Sequence, residues 1–180
     1  MVRPFPLSNG LELRLLREDD AAPIASAYTR NRTHLTPWEP LRSEEFFTRE
    51  WQESEIVRQL ESFEADRSLP LVIADDREIV GRVNLSGIVR GPFQNASLGY
   101  WVDARYAGQG VGTAAVRAAA EIARDDVGLH RIEAGTLVHN LRSQHVLRNA
   151  DFEQIGLAPR YLRIAGEWQD HLMFQRILHD

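Results

Sequence analysis

The chain has 180 residues, 43% hydrophobic and 26% charged, a balance that suits one folded domain and excludes the disordered and fibrous classes. Cysteine is absent, which removes disulfides, thiolate nucleophiles, iron–sulfur clusters and cysteine-ligated zinc. All 21 basic residues are arginine, so there is neither a Schiff-base lysine nor a P-loop lysine.

Net charge is −5, and its distribution is uneven: up to Asp66 there are 13 acids against 8 Arg, and beyond it 13 against 13. No arginine cluster accompanies this excess. Bare nucleic acid, bound mainly by neutralising phosphates, is therefore an unsuitable partner, and a cationic partner suits better. No apolar run approaches ~18 residues. The opening MVRPFPLSNG also lacks the charged-then-apolar order of a signal peptide, so the expectation is a cytoplasmic protein that does not engage membranes.

Leu11–Arg17 alternates and predicts a strand, and the acids Glu18, Asp19 and Asp20 predict the start of a helix reaching about Arg30, since negative charge favours a helix N-terminus. Pro37, Trp38 and Pro40 make Asn31–Arg42 irregular. Ser43 with Glu44 and Glu45 predicts a second helix to about Ala65, its buried side marked by Phe47, Trp51, Leu60 and Phe63. From Glu39 to Asp66 nine acids stand against three Arg, which reads either as a solvated helix face or as attraction for a cationic acceptor.

Pro70–Ala74, Ile79–Val89 and Ala96–Val102 predict three strands in an antiparallel meander. Val111–Asp126 holds six Ala and predicts a helix slim enough to lie close to a sheet. Leu129–Val138 predicts a strand, Asn140–Asn149 a helix, and Phe152–Ile164 with Glu167–Leu178 a closing hairpin. This order makes a mixed α/β sheet in one domain over 1–180, with a single parallel crossover in its middle. Ligands of open sheets gather beyond strand C-termini, near a helix N-terminus, so the crossover is where chemistry is expected.

Gly108, Gln109, Gly110, Val111, Gly112 and Thr113 fill the turn between strand and Ala-rich helix. The first amides of a helix lack internal partners and can hold a phosphate. The missing lysine excludes a P-loop. Gly110-Val-Gly112-Thr-Ala-Ala115 matches G-x-G-x-x-A of the dinucleotide fingerprint, but seven residues part Val102 from Gly110 and Glu133 lies inside a predicted strand, so its surroundings speak against that reading.

The segments GYWVDARYAGQGVGTAAVRAA (99–119) and GLHRIEAGTLVHNLRSQHVLRNADF (128–152) resemble the acetyl-CoA-binding half of the GNAT N-acetyltransferases. NRTHLTPWEPLRSEEFF (31–47) and GEWQDHLMFQRI (166–177) are similar to that superfamily's RimJ/RimL-type branch, the ribosomal-protein-alanine acetyltransferase-like enzymes. One departure is Ala107, where the usual Q/R-x-x-G-x-G carries Gln or Arg. Backbone contacts survive that change, while a side-chain contribution from the position comes into question.

The resemblance implies the GNAT acyl-CoA N-acyltransferase fold: a mostly antiparallel sheet with a splayed central parallel strand pair flanked by helices. It implies acetyl-CoA as cosubstrate and no metal. It further implies that the pyrophosphate of CoA rests on amides of Gln109, Gly110, Val111, Gly112 and Thr113, with pantetheine along the strand carrying Tyr100, Trp101 and Val102. An extended pantetheine pairs with that edge only if the neighbouring strand splays away, so the strand from Leu129 is expected to diverge. Asn140 and Ser143, three apart at the start of a helix, face the same side and resemble positions the family uses on CoA. Asn140 is equally an ordinary N-cap by residue type, and the role implied for Ser143 is to protonate the departing thiolate, directly or through water.

Acetyl transfer to an amine needs the amine neutral, the carbonyl oxygen stabilised and the thiolate protonated. A backbone N–H near Val102 is expected at the oxyanion. Glu133, across the gap, reads either as a base acting through water or as a strand carboxylate paired with Arg. His139 and His145 show no metal-site spacing. A weak base favours a low-pKa acceptor: a terminal α-amine near ~7.8 is ~3.5 kcal/mol easier to deprotonate at neutral pH than Lys near ~10.4. The expected activity is direct acetyl transfer in a ternary complex from acetyl-CoA to a primary amine, foremost a protein N-terminal α-amine. The alternatives are a small-molecule amine, such as an antibiotic or metabolite, and a non-catalytic acyl-CoA-binding module. A homodimer is compatible with the composition.

Overall fold

The computed structural model describes residues 2–180. The chain opens with β1 (Phe5–Pro6) and β2 (Glu12–Leu15), passes through helices α1 (Ala21–Leu35) and α2 (Arg49–Glu64), and lays down β3 (Ser68–Ala74), β4 (Ile79–Val89) and β5 (Asn95–Val102). Helix α3 (Val111–Asp125), strand β6 (Arg131–Leu137), helix α4 (Leu141–Asn149) and strands β7 (Glu153–Ile164) and β8 (Glu167–Ile177) complete it. Among the described residues the eight strands form one sheet, ordered β1-β2-β3-β4-β5-β6-β8-β7. The meander β3-β4-β5 is antiparallel, and β5 and β6 are the parallel pair joined through α3.

The two faces of the sheet are covered differently. On one, α3 buries Ala115, Ala118, Ala119, Ala120 and Ala123 in a core with Leu71, Val83, Leu85 and Phe174. Methyl-sized side chains let the helix axis approach the strands, as the six-Ala pattern predicts. On the other face, Ile24, Tyr28 and Leu35 of α1 and Ile56 of α2 pack on Val72, Ala74 and Ile79. No helix among the described residues is long and apolar enough to cross a membrane.

Several boundaries differ from the sequence pattern, for physical reasons. The acids Glu18–Asp20 form a short 3-10 turn, and α1 then runs on to Leu35 rather than ending near Arg30. Asn31 explains the extension: it points inward, its side chain bonding Ala27 O and Asp103 at 3.0 Å each. The helix stops just ahead of Pro37, whose ring disfavours helical backbone before it. Ser43 does not cap the second helix. Glu44–Phe47 forms a 3-10 turn instead, and Thr48 caps α2, its hydroxyl accepting from Trp51 N–H at 3.3 Å. The fully buried side of α2 is Gln52 and Ile56, while Phe47, Trp51, Leu60 and Phe63 pack only partly.

Candidate active site

Strands β5 and β6 pair at Asn95 with Arg131, Ala96 with Ile132 and Ser97 with Glu133, and then part. Beyond Ser97, β5 keeps only β4 as a neighbour up to Val102, and beyond Glu133, β6 keeps β8 up to Leu137. A wedge therefore opens toward the strand C-termini, the divergence expected for the strand after Leu129.

The β4 ladder decides what faces this wedge. Asp103 N–H donates to Val80 O at 2.7 Å, and the Trp101 carbonyl lies on the β4 side, 2.6 Å from where Gly81 would carry a Cβ. Antiparallel alternation then turns the N–H and C=O groups of Tyr100 and Val102 into the wedge. Trp101 stands apart from those two. Its main chain faces β4, and its indole lies on the other face of the sheet, Nε1 donating to the Tyr28 hydroxyl at 3.1 Å.

At the wide end lies the glycine turn. Gly108 and Gly110 hold φ of +76° and +79°, a region other residues enter only with strain. Gly110 is the N-cap of α3 and offers no capping side chain. The Ala114 N–H reaches Gly110 O at 3.0 Å, whereas the amides of Val111, Gly112 and Thr113 precede that bond without an acceptor among the described residues. Gln109 differs, because Tyr106 O takes its N–H at 3.2 Å and its side chain donates to Arg105 O at 2.7 Å.

A buried carboxylate ties this turn to the fold. Asp103 accepts from Arg30 Nε at 2.7 Å, Asn31 Nδ2 at 3.0 Å and the Arg105 N–H at 2.9 Å. Burial draws its proton affinity upward, but the bonds from Arg105, Asn31 and Arg30 outweigh this and hold the carboxyl well below the usual carboxylate range. Sequence reasoning missed this hub, since Arg30 and Asn31 lie far away in the chain; the only local signal is an Asp directly after the strand.

Across the wedge, Asn140 caps α4, its Oδ1 accepting from Ser143 N–H at 3.1 Å. The Ser143 hydroxyl is 2.8 Å from the Tyr100 hydroxyl. Burial pushes the Tyr100 phenol up to about 12, with the Ser143 hydrogen bond opposing. Buried Gln144 anchors α4 to the end of β6, donating to Val138 O at 2.9 Å. Tyr100, Asn140 and Ser143 are thus brought together, and Val102 meets the start of α3, its Cγ2 3.6 Å from where Gly112 would carry a Cβ.

Glu133 sits at the apex of the wedge, 3.0 Å from Arg131 and 3.4 Å from the Ser97 hydroxyl. His139 lies beside Trp38, ring centroids 5.6 Å apart, and His145 bonds Asn149. Among the described residues no group of three or more His, Cys, Asp or Glu could hold a metal ion. On the face opposite α3, Gly99 and Gly135 are exposed, with the side chains of Tyr161, His171 and Met173 bordering Gly135. The α1–α2 connection reaches the β7–β8 turn there, where Ala165 N–H donates to Glu39 O at 2.9 Å.

Residues 10–153 match the acetyltransferase (GNAT) domain family. The chain belongs to the GNAT acetyltransferases. This acetyltransferase is 36% identical over 167 residues to the [ribosomal protein uS5]-alanine N-acetyltransferase of Escherichia coli, covering 91% of this chain and 85% of that protein. The ribosomal-protein-S5-alanine acetyltransferase of Vibrio fischeri has the same fold, with TM-score 0.94, 34% identity and coverage of 99% and 98%. RimJ of Mycobacterium smegmatis, solved in complex with CoA-disulfide, gives TM-score 0.91 at 32% identity, covering 97% of this chain and 86% of that one. The GNAT fold and the N-acetyltransferase class that the resemblance implies therefore both hold.

Proposed function

We propose that this acetyltransferase moves the acetyl group of acetyl-CoA onto the N-terminal α-amine of a protein. The observation that carries this reading is the wedge itself. It offers an extended edge at Tyr100 and Val102 and, at its wide end, the uncapped amides of Val111, Gly112 and Thr113. Pantetheine amides suit the edge, and a pyrophosphate suits the helix N-terminus. The relatives that act on uS5-alanine and the CoA-bound RimJ neighbour support the same assignment.

In this reading Tyr100 and Val102 pair with pantetheine, and Trp101 serves on the acceptor side through its indole. Gly110, Val111, Gly112 and Thr113 receive phosphate oxygens. Gln109 shapes the turn, its amide being already engaged. Asn140 caps α4 while its amide group remains available to CoA, and Ser143 donates to the leaving thiolate. The wedge-facing N–H of Val102 stabilises the carbonyl oxygen as charge grows on it.

A protein terminus is favoured as acceptor because the floor at Gly99 and Gly135 is exposed, an open surface rather than a closed small-molecule pocket. The acidic excess before Asp66 suits a cationic substrate protein. The test is mass spectrometry of peptides incubated with the enzyme and acetyl-CoA. Modification of the N-terminal amine is expected, and faster acetylation of internal lysines would overturn the reading.

A further inference from the structure

The α1–α2 connection carries a carboxylate to which the scheme above gives no task. The side chain of Glu39 is 18% exposed and lines a cavity of about 140 Å³ with Tyr28, Arg32, Leu35, Arg42 and Phe47. Tyr28 also receives the indole N–H of Trp101, so this cavity shares a wall with the acceptor side of β5. The position of Glu39 is held from several directions. Its carbonyl accepts from Ala165 N–H at 2.9 Å. Its neighbour Trp38 packs on the His139 ring just beyond β6, and Leu41 lies 3.2 Å from where Gly166 would carry a Cβ.

We propose that Glu39 is the group that receives the acceptor's ammonium and takes its proton. The inference rests on the amine-acetylation reading and supplies the base that reading lacks. The charged and titratable groups facing Glu39 are Arg42 on its own loop, Arg82 on β4, and Tyr28 and Arg32 on α1. Arg32 is committed to Glu44, the Arg42 contact is long at 3.5 Å, and burial raises the Tyr28 phenol so that it stays neutral. Burial also raises the Glu39 carboxyl, outweighing the pull of Arg42 and Arg82. This brings its proton affinity nearer to that of an α-amine. Glu133, by contrast, accepts from Arg131 at 3.0 Å, a closer contact than the 3.5 Å from Arg42 Nε to Glu39.

The step balances as follows. The ammonium passes one proton to the Glu39 carboxylate, and the freed lone pair forms the N–C bond to the thioester carbonyl. The C–S bond then breaks, Ser143 protonates the departing thiolate, and the second nitrogen proton restores the Ser143 hydroxyl. Glu39 returns its proton to water.

The test compares the pH dependence of kcat/KM for wild type, Glu39→Gln and Glu133→Gln. It uses whichever amine the wild type acetylates, so a wrong acceptor class shows in the wild-type control while the Glu39 assignment is still decided. Glu39→Gln is expected to lose about 100-fold near pH 7. The deficit should shrink toward pH ~9.5, where free amine is plentiful without a base, and CoA binding by calorimetry should be unchanged. If the amide disturbs the loop, Glu39→Asp decides: about a tenfold loss near neutrality that likewise fades with pH. No loss, a loss equal at every pH, or the same pH-dependent loss in Glu133→Gln overturns the proposal.

Discussion

The Tyr100 and Ser143 hydroxyls meet at 2.8 Å across the wedge between β5 and α4. A phenol pushed up to about 12 keeps its proton, which the Ser143 carbonyl at 3.1 Å and the Ser143 hydroxyl both stand ready to accept; when the hydroxyl accepts it, the serine proton is free to point at a leaving thiolate. Ser143→Ala is expected to lower kcat by about 10- to 100-fold, ~1.4–2.8 kcal/mol in barrier, with KM for acetyl-CoA changed little. Tyr100→Phe should lower kcat about tenfold, and the double variant should be no worse than Ser143→Ala. A double-mutant cycle checks this, because groups acting through one another are not additive.

Gly110 caps α3 at φ +79°, where a side chain costs roughly 1–2 kcal/mol. Gly110→Ala is expected to turn the amides of α3 away from an anion and to weaken CoA about tenfold by calorimetry, while the alanine-lined core under α3 keeps the protein folded.

Asp103 is the buried anchor of the turn, and its pKa in the folded protein is depressed below the ordinary 3.8. A depressed carboxylate stabilises the fold fully above its unfolded pKa, and that contribution is lost as pH falls below it toward the folded value. Asp103→Asn is expected to cost roughly 1–3 kcal/mol near neutrality, because buried hydrogen bonds to Asp103 are weakened while Arg30 and Arg105 keep Glu78 as a counter-charge at 3.3 and 3.0 Å. The gap in Tm between the variant and wild type should narrow as pH drops below about 4.

Gly81 of β4 lies beside the back of the Trp101 peptide. A Cβ there would stand 2.6 Å from the Trp101 carbonyl and 2.9 Å from Ile73 Cδ1. Neither backbone nor packed core can yield cheaply. Gly81→Ala is expected to cost at least ~1–3 kcal/mol and to shift the wedge edge, measured as a lower Tm together with a raised KM for acetyl-CoA.

Much of the proposed CoA side was legible because it is local. The run from Gly108 to Thr113 is contiguous, Asn140 and Ser143 lie one helical turn apart, and the order of strands and helices follows from short-range periodicity. The acceptor side was not legible in the same way. Glu39 stands in a proline-broken stretch that showed no regular pattern, and its surroundings come from α1, β4 and the β7–β8 turn.

The amino-acid sequence alone determined the order of the elements and an anion-binding helix start, since alternation, an alanine-rich helix and a glycine turn constrain the backbone within a few residues of themselves; acetyl-CoA as the cosubstrate came from the resemblance of 99–119 and 128–152 to the GNAT family. Tertiary structure decided which polar groups are spent and which remain free. Only tertiary packing shows that Arg30 and Asn31 hold Asp103, that Tyr100 meets Ser143, and that Glu39 is shielded from water. Those outcomes depend on burial and on partners distant in the chain, which no local pattern of residues contains.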